Sequence, residues 1–184
     1  MNKTAILLIE HGRTAFDREG RVHGHFDPPL DAKGREQAES LGAKLRRAMP
    51  DVLYSSDRKR AAQTARIAGR IAGIPVRPSP ELRPLDVGDF SGRPEKQVAA
   101  ALEPYFAHPG RKIPGGESVA DWRARHTAFA RRVAAQGGKP AFVTHSNVIG
   151  SLRAAATGAA DGRHAMANPP KSASITIVRF GSKP

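Results

Sequence analysis

The chain has 184 residues, 39% of them hydrophobic and 26% charged, a globular composition with enough length for one well-buried core and a single domain over residues 1–184. Lys and Arg number 30 against 17 Asp and Glu, a net charge of +13, which favours anionic partners such as phosphorylated metabolites, nucleic acid or an acidic membrane surface. There is no cysteine, which excludes disulfides, thiolate metal sites and thiol nucleophiles; the longest early apolar run, Ala5 to Ile9, is too short for a membrane span, so a cytoplasmic protein with no membrane partner is expected.

Ala5 to Ile9 is rich in branched residues and reads as a central strand buried on both faces. It runs into Glu10-His11-Gly12-Arg13-Thr14. Asp31 is placed to cap a helix whose apolar positions Ala38, Leu41, Leu45 and Ala48 recur at helical spacing and which stops before Pro50. Val52 to Tyr54 then reads as a short strand with the polar tip Ser55-Ser56-Asp57. Arg58 to Ala72 reads as a helix with Ala61, Ala65, Ala68 and Ala72 in register, and Ile74 to Arg77 as a third strand.

Irregular chain through Pro84, Gly88 and Gly92 leads to a helix over Glu95 to Leu102, and Pro104 to Gly116 reads as a loop. Ser118, with Asp121 three residues on, predicts a capped helix presenting Val119, Trp122, Phe129 and Val133. Ala141 to Thr144 repeats the first pattern, an apolar strand ending in histidine, here His145. A helix over Asn147 to Ala156 and a terminal strand over Ile175 to Phe180 complete an α/β chain. The alternation predicts a three-layer α/β/α sandwich around a mainly parallel sheet.

In such sheets ligands gather beyond the carboxyl ends of the strands, where His11, Ser56-Asp57 and His145 all fall. Arg60 lies one turn into the following helix. Two imidazoles and a guanidinium meeting in that crevice suit a phosphoryl group, which a neutral imidazole can attack while cations hold its oxygens. His23 lies in a loop near the same crevice. No chemistry is assigned to His25, His108, His126 or His164, and Arg123, Arg125, Arg131 and Arg132 read as a solvated helix face.

The residues together resemble the histidine phosphatase superfamily, also called phosphoglycerate mutase-like. The resemblance rests on Leu8 to Thr14, Gly20-Arg21-Val22-His23-Gly24 with Asp27-Pro28-Pro29-Leu30, Gly34 with Gln37-Ala38, Tyr54 to Asp57 with Arg60-Ala61 and Gln63-Thr64-Ala65, Pro114 to Ser118, and Val143-Thr144-His145. It covers nearly the whole chain. It implies His11 as the phosphoryl-accepting nucleophile, Arg60 as a phosphate ligand, His145 as the second pocket histidine, and neither metal nor cofactor. Glu10, Gly12, Arg13, Thr14, Asp17, His23 and Ser146 are the expected substrate-binding residues.

The signature departs from the family at three places. Glu10 stands where members carry arginine, Asp17 where many carry asparagine, and Pro84 in the place of a glutamate that supplies a general acid. A carboxylate about 4 Å from a phosphoryl charge would cost roughly 4 kcal/mol at an effective dielectric near 20. Because Glu10 and Arg13 exchange the usual charges, Arg13 folding back across Gly12 would restore the phosphate contact; otherwise Glu10 has simply removed one. Asp86, bracketed by Pro84 and Gly88, is the expected proton donor, chosen over Glu81 and Glu117.

The leading expectation is a phosphatase acting on a small phosphorylated compound. A degenerate member binding an anionic ligand or partner, or a phosphoglycerate-type mutase, is the alternative. Nucleic acid is disfavoured: with 5% aromatic residues, stacking recognition is poorly supplied.

Overall fold

The computed structural model describes residues 3–24, 26–158 and 170–181; His25 and His164 lie outside them. Strand β1 (Lys3–Glu10) pairs in parallel with β4 (Pro140–Thr144), which pairs in parallel with β2 (Val52–Ser55), and β2 with β3 (Val76–Pro78). On the other side of β1 lies the antiparallel β5 (Ile175–Gly181), giving the order β3-β2-β4-β1-β5.

The alternation of β1 sorts its side chains between two cores. Leu7 and Ile9 face Leu41 and Leu45 of α2 (Ala32–Ala48) and the alanine stripe Ala61, Ala65, Ala68 of α3 (Lys59–Ala72). Ile6 and Leu8 face the other core. There they join Val98 and Leu102 of α4 (Glu95–Ala107), Trp122 and Phe129 of α5 (Val119–Ala135), and Val148 and Leu152 of α6 (Ser146–Thr157). A strand apolar on both sides is what a three-layer sandwich requires at its centre. Each fully buried Leu or Ile contributes about 1.5–3 kcal/mol.

The caps are local chemistry. Asp31 Oδ1 accepts from Gly34 N at 2.7 Å and opens α2, and Ser118 Oγ accepts from Asp121 N at 3.0 Å and opens α5, as their spacing predicts. One short helix was not anticipated. Helix α1 (Ala15–Glu19) is set by a reciprocal box between Thr14 and Asp17 and ends at Gly20 in the left-handed region, φ 63°.

Several element ends shift from expectation, and at two of them the cause is local. Helix α4 continues past Leu102 through Pro104 to Ala107, because its last turn buries Tyr105 and Phe106, which outweighs the hydrogen bond that proline forgoes. Strand β3 starts at Val76 because Ile74 N still closes α3 on Gly69 O at 3.0 Å. Among the described residues no helix is long and apolar enough to cross a membrane.

Candidate active site

The sheet order brings the ends of β2, β4 and β1 side by side, and the residue after each strand is polar: Ser56, His145 and His11. Backbone bonds fix these tips together, His11 N to Thr144 O at 3.2 Å and Ser56 N to Val143 O at 2.9 Å. Arg60, in the first turn of α3, reaches in from β2's side and is 1% exposed.

His11 Nδ1 lies 2.8 Å from Gly12 O. A carbonyl only accepts, so Nδ1 carries the proton and Nε2 the lone pair. Arg60 Nε donates to that Nε2 at 3.2 Å, and Glu10 Oε1 is also 3.2 Å from it. Burial, and then the Arg60 charge, push the His11 ring down to about 3 against the opposing bond to Gly12. It is therefore neutral and nucleophilic at neutral pH. Ring centroids of His145 and His23 stand 5.2 and 5.7 Å from that of His11.

His145 Nε2 pairs with Ser56 Oγ at 2.9 Å, and burial followed by Arg60 holds its ring well below the ordinary value. Thr14 Oγ1 contacts Asp17 Oδ2 and His23 Nε2, each at 2.8 Å. The hydroxyl has one proton, which goes to the carboxylate, so His23 donates from Nε2. Burial pushes His23 down to about 3. Arg60, lowered by burial to about 10, remains a cation; its NH1 lies 3.5 Å from Asp27 Oδ1.

A cavity of about 340 Å³ opens on this cluster, lined by Glu10, His11, Asp17, His23, Arg60, His145, Ser146 and Asn147 on its polar side. Phe16, Val22, Pro84, Leu85, Val87, Val98 and Leu102 form the other side. Among the described residues, four buried polar atoms of the lining have no hydrogen-bond partner: Arg60 NH1, which has only the 3.5 Å ion pair to Asp27, His145 Nδ1, Glu10 Oε2 and Asn147 Oδ1. Buried polar groups are seldom left so. Several unpaired in one cavity mark where a polar ligand would sit.

Of the expected residues, His11, Arg60, His145, Glu10, Asp17, His23 and Ser146 thus converge, and four do not. Arg13 turns away: its Nε donates to Asp31 Oδ2 at 2.8 Å, at the cap of α2. It does not exchange places with Glu10. Gly12 does not line the cavity; a Cβ there would meet Gly34 O at 2.5 Å, so glycine is required by the approach of two backbones, not by a ligand. Thr14 caps α1 beneath the cavity wall. Asp86 is set apart in its loop, where Oδ1 accepts from Gly88 N at 3.0 Å and its own N–H donates to Glu117 Oε1 at 2.9 Å.

Three contributors went unanticipated. Asp27 pairs with Arg60. Asn147 follows His145 in the first turn of α6, where a polar residue beside a candidate histidine was the available signal. Thr64 takes Gly12 N at 2.9 Å and donates to Arg60 O at 2.7 Å, tying the His11 turn to α3.

Paired imidazoles and a buried guanidinium at the strand ends of a mainly parallel sheet are chemically suited to holding a phosphoryl group. Residues 6–183 match the histidine phosphatase superfamily (branch 1), and the chain belongs to that family. It is 33% identical over 155 residues to a protein named probable phosphoglycerate mutase GpmB from Salmonella paratyphi C, spanning 80% of this chain and 72% of that one. Its fold is similar to a mycobacterial glucosyl-3-phosphoglycerate phosphatase solved with VO3, at TM-score 0.79 and 27% identity over 95% of this chain and 92% of the other. A phosphoglycerate mutase from Bacillus anthracis shares the fold at TM-score 0.80 and 21% identity, over 98% and 89% of the two chains.

Proposed function

We propose that the protein is a phosphatase that cleaves small phosphomonoesters through a phosphohistidine on His11. The observation that carries this reading is the set of unpaired buried atoms around a neutral His11 Nε2. Nε2 attacks phosphorus in line, the ester P–O bond breaks, and the alcohol oxygen leaves with the electron pair and takes its proton from solvent water. Water then attacks the phosphohistidine, releasing phosphate and the free imidazole. Arg60 NH1, ion-paired with Asp27 but without a hydrogen bond, and His145 Nδ1 are the groups placed to hold the equatorial oxygens.

Hydrolysis rather than mutase chemistry is supported by the cations of the cavity. A phosphoglycerate carboxylate needs a cation of its own, and apart from Arg60 the described lining offers Arg21. That guanidinium is engaged elsewhere: Nε donates to Gly92 O at 2.7 Å, and Cζ lies over the Phe16 ring, 4.5 Å from its centroid. With Asp86 outside the cavity and Pro84 on its wall, esters of acidic alcohols, which leave without a proton donor, are the preferred substrates.

The test is hydrolysis of an aryl phosphate together with an acid-sensitive, base-stable phosphate on the quenched protein. Both must vanish in His11→Ala while the fold is kept. Tight binding of phosphate with no turnover and no labelled protein would establish the anion-binding alternative instead.

A further inference from the structure

Resting on the reading of His11 as the phosphoryl acceptor, we propose that Glu10 works as a neutral carboxylic acid, donating a hydrogen bond to a non-bridging oxygen of the bound phosphoryl group. The placement excludes the obvious alternative. Leaving groups depart on the side of phosphorus opposite the nucleophile, so a group 3.2 Å from His11 Nε2 lies beside the equatorial oxygens and cannot protonate the departing alcohol.

The geometry also says which form of Glu10 fits. His11 directs its Nδ1 proton to Gly12 O, leaving a lone pair on Nε2. An ionised Oε1 at 3.2 Å would set lone pair against lone pair, whereas a protonated carboxyl closes the contact as O–H to N. Glu10 is 5% exposed, and among the described residues Oε2 has no hydrogen-bond partner. The charged and titratable groups around it are Asp17 and Arg21 beside α1, His23, His11, Arg60 and His145, with Glu95 further along the cavity wall. Burial, then the Asp17 charge, raise the Glu10 carboxyl well above its ordinary value, against Arg60.

In the free protein the Glu10 O–H is therefore directed at the lone pair of the nucleophile, which it shares with the Arg60 Nε–H. When a phosphoryl group arrives, both hydrogen bonds turn to its oxygens and Nε2 is released. The proton stays on Glu10 throughout; only its acceptor changes. Buried carboxylic acids kept neutral to donate in this way are known chemistry, and here the donor stands where the family carries a guanidinium.

The experiment uses inorganic sulfate, a tetrahedral dianion whose charge is constant across the working pH range, with infrared spectroscopy and calorimetry on the whole chain. At neutral pH the wild type is expected to show a protonated-carboxyl band that is absent in Glu10→Gln and shifts when sulfate binds. Glu10→Gln, which keeps a neutral donor, is expected to bind sulfate within about threefold of wild type, and Glu10→Ala about tenfold more weakly. Absence of the band in the wild type overturns the proposal without any variant having to fold. So does Glu10→Ala binding sulfate as tightly as wild type or tighter. Those results leave phosphohistidine formation intact, whereas failure of the wild type to bind sulfate and to label His11 would remove the phosphatase reading and this inference with it.

Discussion

Mild acid should weaken this fold well before its carboxylates protonate. The rings of His11, His23 and His126 are pushed down to about 3, burial being the first cause for each. Unfolding restores them to the ordinary value near 6.5, so between those limits the unfolded chain binds protons the folded one refuses, and stability falls as pH falls. From about pH 7 to about pH 5.5 each ring contributes a loss of roughly 1 kcal/mol, about 3–4 kcal/mol for the three, and His145 adds in the same direction. Glu10 acts with opposite sign, because its raised carboxyl takes up a proton earlier in the folded state and stabilises it as pH falls. Urea unfolding at the two pH values measures the balance. With a slope near 2 kcal/mol/M, the wild-type midpoint should drop by about 1–2 M, and Glu10→Gln, which lacks the offset, should lose more. Midpoints that coincide at both pH values in both proteins would refute the argument.

Arg60→Ala should lower aryl phosphate turnover by two to three decades, about 2.7–4 kcal/mol of transition-state stabilisation for one well-placed donor, with steady-state kinetics as the check. Arg13→Ala should leave inorganic phosphate affinity within about twofold of wild type and cost at most about 1 kcal/mol of stability, since it breaks a half-exposed pair with Asp31; a sharp loss of affinity in calorimetry would restore Arg13 to the site. Gly12→Ala must push the β1 tip off Gly34, at about 1–3 kcal/mol, read as a Tm lower by several degrees.

What the sequence made legible follows from the range over which each signal acts. The Ala61, Ala65, Ala68 stripe and the Asp31 and Ser118 caps are local patterns, and α2, α3 and α5 appear where those patterns place them. His11, Arg60 and His145 could be expected in one crevice because α/β topology alone brings strand ends together. Arg13 was misdirected for a reason local reading cannot see. Asp31 has two carboxylate oxygens, and the one not used in capping Gly34 N takes the guanidinium from 18 residues away. The need for glycine at position 12 is set by Gly34, a contact that exists only in the folded chain. Asp86 sits in irregular chain, where no periodicity says which way a side chain faces, and its partner Glu117 arrives from 31 residues on.

The Thr64 bridge has a mechanical consequence. Through one hydroxyl the His11 turn and the Arg60 carbonyl are pinned to a common point, while β-sheet bonds hold the tips bearing Ser56 and His145 to the same frame. The facing wall has bonds of its own: Val22 N bonds Arg93 O, Gly92 N bonds Val22 O and Glu95 N bonds Gly20 O, so the turn after α1 and the start of α4 are tied together. That wall meets the His11 frame through the Thr14 Oγ1 contact with His23 Nε2 and through Val98 and Leu102, which share a core with Ile6 and Leu8 of β1. Substitutions in the wall are therefore expected to reshape the cavity with less effect on the spacing of His11, Arg60 and His145, which the Thr64 bridge and the sheet hold directly.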